Sequence, residues 1–331
     1  MARRTAVVTG GTAGVGRATV RELAAQGWDV AVLARGRAGL DAAVADVEAA
    51  GRRGLAVVCD VADHAAVDAA AERVESELGP VGAWVNVAFV GSLARFWDTT
   101  PEEYRRMTEV TYLGQVNGTR AALRHMRPRD AGVVVNVGSA LSHRGIPLQS
   151  AYCGAKHAVK GFTESVRVEL KAEGSRVRVC QVMLPGLNTP QFDWNLTRME
   201  HHPQPVAPIF QPETAGRAIA FLAAHPRRMM WVGVSTAYTI LGERVAPWLV
   251  EAYLARTGID GQQVAKDLPR HGSNVFEARD EHADRGAHGA FDDRGLSSDP
   301  WSAVSMRRGA LGAAAAGVGA AVGALALLRR R

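Results

Sequence analysis

Two side chains four residues apart, Tyr152 and Lys156, form the pair in this 331-residue chain best suited to moving a proton. They stand in the run Tyr152-Cys153-Gly154-Ala155-Lys156, a spacing that stacks them on one face of a helix. That face continues through Val159, Thr163, Val166 and Leu170, so it is the apolar face, the one turned to the core. A lysine there is costly to desolvate without a partner or a task. Lysine is also scarce: Lys156, Lys160, Lys171 and Lys266 are the only ones among 39 Lys and Arg residues. A free phenol titrates near pH 10, too high for proton exchange at neutrality, and a neighbouring ammonium favours phenolate. Bringing it to pH 7 takes a shift of about three units, on the order of 4 kcal/mol. Ser139, in Asn136-Val137-Gly138-Ser139, ends an apolar run thirteen residues before Tyr152. Its hydroxyl can hydrogen-bond a reacting carbonyl oxygen.

A second constellation lies at the start of the chain. The run Ala6–Thr9 leads into Thr9-Gly10-Gly11-Thr12-Ala13-Gly14-Val15-Gly16, where glycines let backbone approach a pyrophosphate seated on a helix N-terminus. Nineteen residues after Gly16 the next apolar run ends at Arg35, with Arg37 close by and no acid. An acid at that place suits the ribose 2′-hydroxyl of NAD, and an arginine suits a 2′-phosphate. The expectation is NADP(H) in preference to NAD(H), and an oxidised nicotinamide would add to the pull toward phenolate at Tyr152.

The elements that must position these groups alternate. Strands are expected at Ala6–Thr9, Val30–Leu33, Leu55–Cys59, Ala83–Val87, Val133–Val137 and Val177–Met183, each followed by a helix-period segment. Asp63 can cap the third helix, Gly79-Pro80 stops it, and Thr100-Pro101-Glu102-Glu103 opens the next with a capping box. Strands this apolar imply a parallel sheet covered on both faces, a doubly wound α/β (Rossmann) fold. Ligands then sit beyond the carboxyl ends of the strands. Pro190, Pro203, Pro205, Pro208 and Pro212 mark a long loop over 190–212, followed by a helix at 213–224, a strand at Trp231–Val234 and a helix at 244–256.

Together these residues resemble the short-chain dehydrogenase/reductase family, over about residues 5–190. The resemblance rests on TGxxxGxG, the strand-end serine and YxxxK. It implies Tyr152 as general acid/base, Lys156 lowering its pKa and holding the nicotinamide ribose, and Ser139 orienting substrate. It implies cofactor contacts at Gly10, Thr12, Gly14, Val15, Gly16, Arg35, Asp60, Val61, Asn86, Pro185, Gly186 and Thr189, with Asp60 and Val61 beside the adenine. Two positions depart from the pattern. Phe89 replaces a glycine in Asn86-Val87-Ala88-Phe89, and Thr111 stands in Val110-Thr111-Tyr112-Leu113-Gly114 where the family carries an asparagine in its proton relay. Thr111 is kept as a candidate catalytic residue in that relay. The family also implies a homo-dimer or tetramer through helices 101–125 and 151–172.

The expected organisation is one catalytic domain over 1–257, a polar linker over 258–306 and a basic-flanked helix over 307–331. Five of the net six positive charges are Arg307, Arg308, Arg329, Arg330 and Arg331, so the folded domain is nearly neutral and nucleic acid is excluded as a partner. Gly309–Leu328 is twenty residues without a charge, with a GxxxG at Gly319 and Gly323, and reads as a membrane-crossing helix. Cys59, Cys153 and Cys180 are too few and too scattered for a disulfide framework. A strand-like start leaves no room for a signal peptide, so a cytoplasmic enzyme, membrane-associated through its tail, is expected. No metal is expected, His201 and His202 being read as solvated. Phe192, Trp194, Leu196, Met199 and Phe210 in the long loop suggest an apolar substrate. The function expected is NADP-dependent hydride transfer to or from a carbonyl or alcohol carbon. The alternatives are a non-catalytic NADPH-binding sensor and a membrane-associated scaffold.

Overall fold

Seven strands form one sheet in the computed structural model, which describes residues 4–268 and 272–307. They are β1 (Arg4–Thr9), β2 (Trp28–Ala34), β3 (Gly54–Val58), β4 (Val81–Asn86), β5 (Val133–Ser139), β6 (Arg178–Leu184) and β7 (Met229–Trp231). All pair in parallel, in the order β7-β6-β5-β4-β1-β2-β3. The doubly wound reading of the sequence is what the chain adopts.

The strands are apolar at nearly every position because each face meets a helical layer. Ala6, Val8, Val30, Val32 and Val135 pack against α1 (Gly14–Ala25), α2 (Arg37–Ala49) and a later helix, Pro212–Ala224. Val7, Ala31, Leu33 and Val134 point the other way, to α3 (His64–Glu77), α4 (Pro101–Thr108), α5 (Gly114–Arg129) and α6 (Ser150–Ala172). The capping box at Thr100 forms: Glu103 N donates to Thr100 Oγ1 at 3.3 Å, and Thr100 N to Glu103 Oε2 at 2.9 Å. Between α4 and α5 the helix widens into a π-turn, Glu109–Leu113. Strand order reverses between β1 and β4, and the carboxyl ends of the strands there open the crevice where a doubly wound sheet binds ligand.

Beyond β6 the elements differ from expectation in detail. The loop over 190–212 contains a short helix, α7 (Gln191–Trp194), and two two-residue strands, Leu196–Thr197 paired with Ser92–Leu93 and His202–Pro203 paired with Gln263–Val264. Pro212–Ala224 is α8. The strand expected at Trp231–Val234 ends at Trp231, because Gly233 turns with φ 76° into a helix, α9 (Val234–Val245). The helix expected at 244–256 starts later, as α10 (Pro247–Thr257); Pro247 fits at a first helical position and not inside a continuous helix with α9.

The region expected as a polar linker runs along the carboxyl edge of the sheet. Residues 273–289 pass over the ends of β2, β3 and β1, and Val275 is fully buried there. Residues 300–307 are helical, tied to α9 where Gly233 N donates to Asp299 Oδ2 at 2.8 Å. The expected membrane span, 309–328, lies outside the described residues. Among the described residues no helix is long and apolar enough to cross a membrane.

Candidate active site

The N-terminal half of α6 packs across the end of β5, which brings Tyr152 and Lys156 to Ser139. Lys156 is 1% exposed, and its Nζ donates to Val137 O at 2.7 Å. The ammonium also lies 5.5 Å and 5.8 Å from the ring centres of Tyr152 and Phe89. No carboxylate pairs with it among the described residues, so desolvation dominates and brings its pKa down to about 7. Burial pushes the Tyr152 phenol well above its usual value, opposed only by a hydrogen bond from Ser139. Burial is the first cause at both, so each is biased toward its neutral form. Phe89 meets Tyr152 edge-on at 5.6 Å, so the residue in the glycine's place forms an apolar wall beside the phenol. Ser139 is held by its own turn, its Oγ accepting from Leu141 N at 3.1 Å and its N donating to Ser142 Oγ at 3.1 Å.

The glycine turn is built for close backbone approach. Gly10 and Gly14 sit at φ 66° and 54°, where an L side chain is strained. A Cβ on Gly16 would overlap the carbonyl oxygen of Gly10. The N-terminus of α1 has no side-chain cap and no acid in its first turn; Gly14 N donates to Gly286 O at 3.0 Å, which leaves the Val15 and Gly16 N–H groups for an anion. Thr189 Oγ1 is buried without a partner, and the Thr189 side chain lies 3.1 Å from where a Gly14 Cβ would stand. An uncapped helix end, a glycine cradle and an orphaned hydroxyl together fit a dinucleotide.

One cavity of about 1040 Å³ joins these parts. Gly10, Thr12, Gly14, Val15, Gly16, Arg35, Asp60, Val61, Ser139, Tyr152, Lys156, Pro185, Gly186 and Thr189 all line it. Asn86 and Thr111 do not. Asn86 is fully buried; its Nδ2 donates to Asn136 Oδ1 at 2.8 Å and Thr119 Oγ1 at 3.2 Å, and its Oδ1 accepts from Trp84 Nε1 at 2.9 Å. It ties β4 to β5 and α5. Thr111, in the π-turn, donates to Val90 O at 2.8 Å and accepts from Val90 N at 3.0 Å, which pins the chain after β4. Neither contact could be read from sequence, because both partners depend on how the crossover packs.

Asp60 shares its carboxylate between Ala62 N, at 3.0 Å, and Arg106. Arg35 reaches the cavity, yet its guanidinium is bonded to carbonyls of the segment 273–289. Asn274 and Asp280 of that segment line the cavity too and escaped sequence reasoning, since more than 200 residues separate them from β2. Phe192, Trp194 and Ile209 line the substrate end beside Leu249 and Leu254, whereas Phe210 faces the core and Leu196 and Met199 lie outside the cavity. His202, read as solvated, is buried and meets Asp193 at 3.2 Å; His201 is exposed.

The chain matches the family model of short chain dehydrogenases over residues 4–200. It is 31% identical over 285 residues to the uncharacterized oxidoreductase YxnA of Bacillus subtilis, covering 85% of this chain and 80% of that protein. A short-chain dehydrogenase from Streptomyces avermitilis superposes with a TM-score of 0.65 at 27% identity, covering 78% of this chain and 97% of the other. A metagenomic short-chain oxidoreductase in complex with NADP superposes at 0.58, with 25% identity over 69% of this chain and 95% of its own. With its parallel seven-stranded sheet, its glycine turn and its Ser139, Tyr152 and Lys156 around one cavity, the chain is an oxidoreductase belonging to the short-chain dehydrogenase family.

Proposed function

We propose that the protein reduces a carbonyl group of an apolar substrate, or oxidises the corresponding secondary alcohol, with a nicotinamide dinucleotide. The observation that carries this reading is the joining of the glycine turn to Ser139, Tyr152 and Lys156 in a single cavity. When bound, the dinucleotide supplies or takes up the hydride. Ser139 Oγ hydrogen-bonds the substrate oxygen and orients it. Tyr152 carries the proton at its phenol oxygen; burial keeps it protonated at neutral pH, ready to act as a general acid in the reducing direction. Lys156, fixed by Val137 O, would hold the nicotinamide ribose, and its pKa near 7 lets it pass a proton. Gly14, Val15 and Gly16 would seat the pyrophosphate, and Asp60 and Val61 would flank the adenine. NADP(H) is the form that Arg35, considered alone, favours.

The apolar substrate is supported by Phe192, Trp194, Leu249 and Leu254 around the open end. Pairing of copies through α5 and α6 is supported by exposed Leu113 and Val168 on that side. The membrane tether at 309–328 belongs to the proposal on its composition alone, and a vesicle flotation assay with full-length chain tests it. A second reading, a dinucleotide sensor without turnover, draws on the closure of Thr111 onto Val90, which leaves the family's relay without its usual side chain. Consumption of NADH and NADPH against aldehydes, ketones and 3-oxoacyl thioesters, with Tyr152→Phe alongside, separates the two. Turnover that vanishes in the variant supports the reductase; tight binding with no turnover on any member supports the sensor.

A further inference from the structure

We infer that cofactor choice is set by the C-terminal segment, in which Asp280 and Glu281 close the seat of a ribose 2′-phosphate and leave a site selective for NAD(H). The inference rests on the dinucleotide reading above and reverses the preference expected from Arg35.

A 2′-phosphate draws charge and donors from two places, an arginine at the end of β2 and the N–H groups that open α2. Both are committed. Arg35 Nη1 donates to Phe276 O at 3.0 Å, and Nη2 to Asn274 O at 2.6 Å and Glu277 O at 3.4 Å. At the start of α2, Arg37 N donates to Glu281 Oε2 at 3.0 Å, Ala38 N to Glu281 O at 3.2 Å and Gly39 N to Asp280 O at 3.0 Å. The helix has no side-chain cap of its own, so the segment supplies what a phosphate would otherwise provide. Of the other cations nearby, two are engaged, while the Arg37 side chain forms no ion pair among the described residues and does not line the cavity. Arg106 pairs with Asp60 and donates to Val275 O at 3.1 Å, and Arg279 pairs with Glu277 at 3.2 Å.

Asp280 points to the ligand itself. It is 8% exposed and lines the cavity, with its carboxylate over Gly36 and Gly39. A Cβ on Gly36 would collide with Asp280 Oδ1, and one on Gly39 with Oδ2, so two glycines make the room for this acid. Among the described residues its carboxylate accepts no hydrogen bond and joins no ion pair, although it lies within Coulombic range of Arg35. An acceptor that faces the cavity without a donor of its own, close to the end of β2, is what a ribose 2′-hydroxyl needs. A phosphate there would meet a carboxylate instead. NAD sites usually take this acid from the end of β2; here Arg35 follows β2, and the acid arrives from beyond residue 200, where the family match stops. The N-terminus of α1 shows the contrast: only its Gly14 N–H is taken, by Gly286 O at 3.0 Å, and no acid stands in its first turn.

The test is equilibrium binding of NADH and NADPH to the full-length protein, followed by ligand fluorescence and calorimetry. NADH is expected to bind at least about tenfold more tightly. Asp280→Asn combined with Glu281→Gln is expected to narrow that ratio by about tenfold or more, mostly through tighter NADPH, since asparagine still accepts from a hydroxyl. Competition on the unaltered protein guards against a variant that fails to fold: 5′-AMP should displace NADH, and adenosine 2′,5′-bisphosphate should not. NADPH binding as tightly as NADH, or a ratio unmoved in a folded double variant, would overturn the inference while leaving the dinucleotide reading intact. Binding of neither dinucleotide would overturn both.

Discussion

The two ends of the cavity are built in opposite ways. At the catalytic end Ser139, Tyr152 and Lys156 come from one strand and the helix that follows it, and the buried lysine is held by a carbonyl two residues before the serine. At the adenosine end β2 meets a segment about 240 residues later in the chain, through three bonds from Arg35 and three from the start of α2. The first end is local and has little freedom to vary without losing the chemistry. The second is assembled from distant pieces that can change the ligand without touching the catalytic groups.

The comparison predicts large, purely chemical losses at the catalytic end. Tyr152→Phe should lower kcat by about 10²–10⁴-fold and leave NADH binding within a few-fold, as measured by turnover beside fluorescence titration. Equal loss of binding would mean that the phenol holds ligand more than it moves protons.

Lys156→Met tests the burial of charge. The unfolded lysine keeps its proton to about pH 10.5 and the folded one only to about 7, so folding expels a proton between those values. The wild type therefore carries its full penalty below pH 7 and gains stability as pH rises through that window. The variant lacks this rise. Urea unfolding should show it more stable than wild type near pH 7, by an amount on the order of a few kcal/mol that shrinks toward pH 10. A pH-independent difference would mean that Lys156 is charged and paired when folded.

At the adenosine end, Gly36→Ala should push Asp280 and its neighbours out of place. The expected cost is about 1–3 kcal/mol, with new protease cleavage within 273–289 and catalysis on a saturating cofactor retained. Loss of kcat to the same degree as in Tyr152→Phe would erase the distinction between the two ends. An effect of similar size but without new cleavage in 273–289 is expected at Thr111→Val, which strips both bonds to Val90 and should cost about 1–3 kcal/mol of stability, with Thr111→Ser restoring it. A selective fall in kcat with stability unchanged would return Thr111 to the proton path.

Legibility followed the same divide. The strands were readable because burial on both faces makes each a continuous apolar run, and α4 because its capping box is written in four consecutive residues. The Tyr152–Lys156 pair was readable because helical geometry fixes what four residues of spacing does. Asn86 and Thr111 lie off the cavity lining for a common reason. Their residue types suit a site, but Asn136, Thr119 and Val90 reach them first. The polar composition of 258–306 concealed its contacts, since many run through backbone carbonyls, which every sequence carries alike.

By itself the sequence determined the parallel sheet, the glycine turn and the grouping of Ser139, Tyr152 and Lys156, because each follows from periodicity or from residues close along the chain. Only the tertiary structure decided that Arg35 is engaged, which helix end lacks a cap and which acid from the far end of the chain lines the cavity. Those properties belong to pairs of groups brought together across hundreds of residues, and a side chain's charge does not reveal what has already neutralised it.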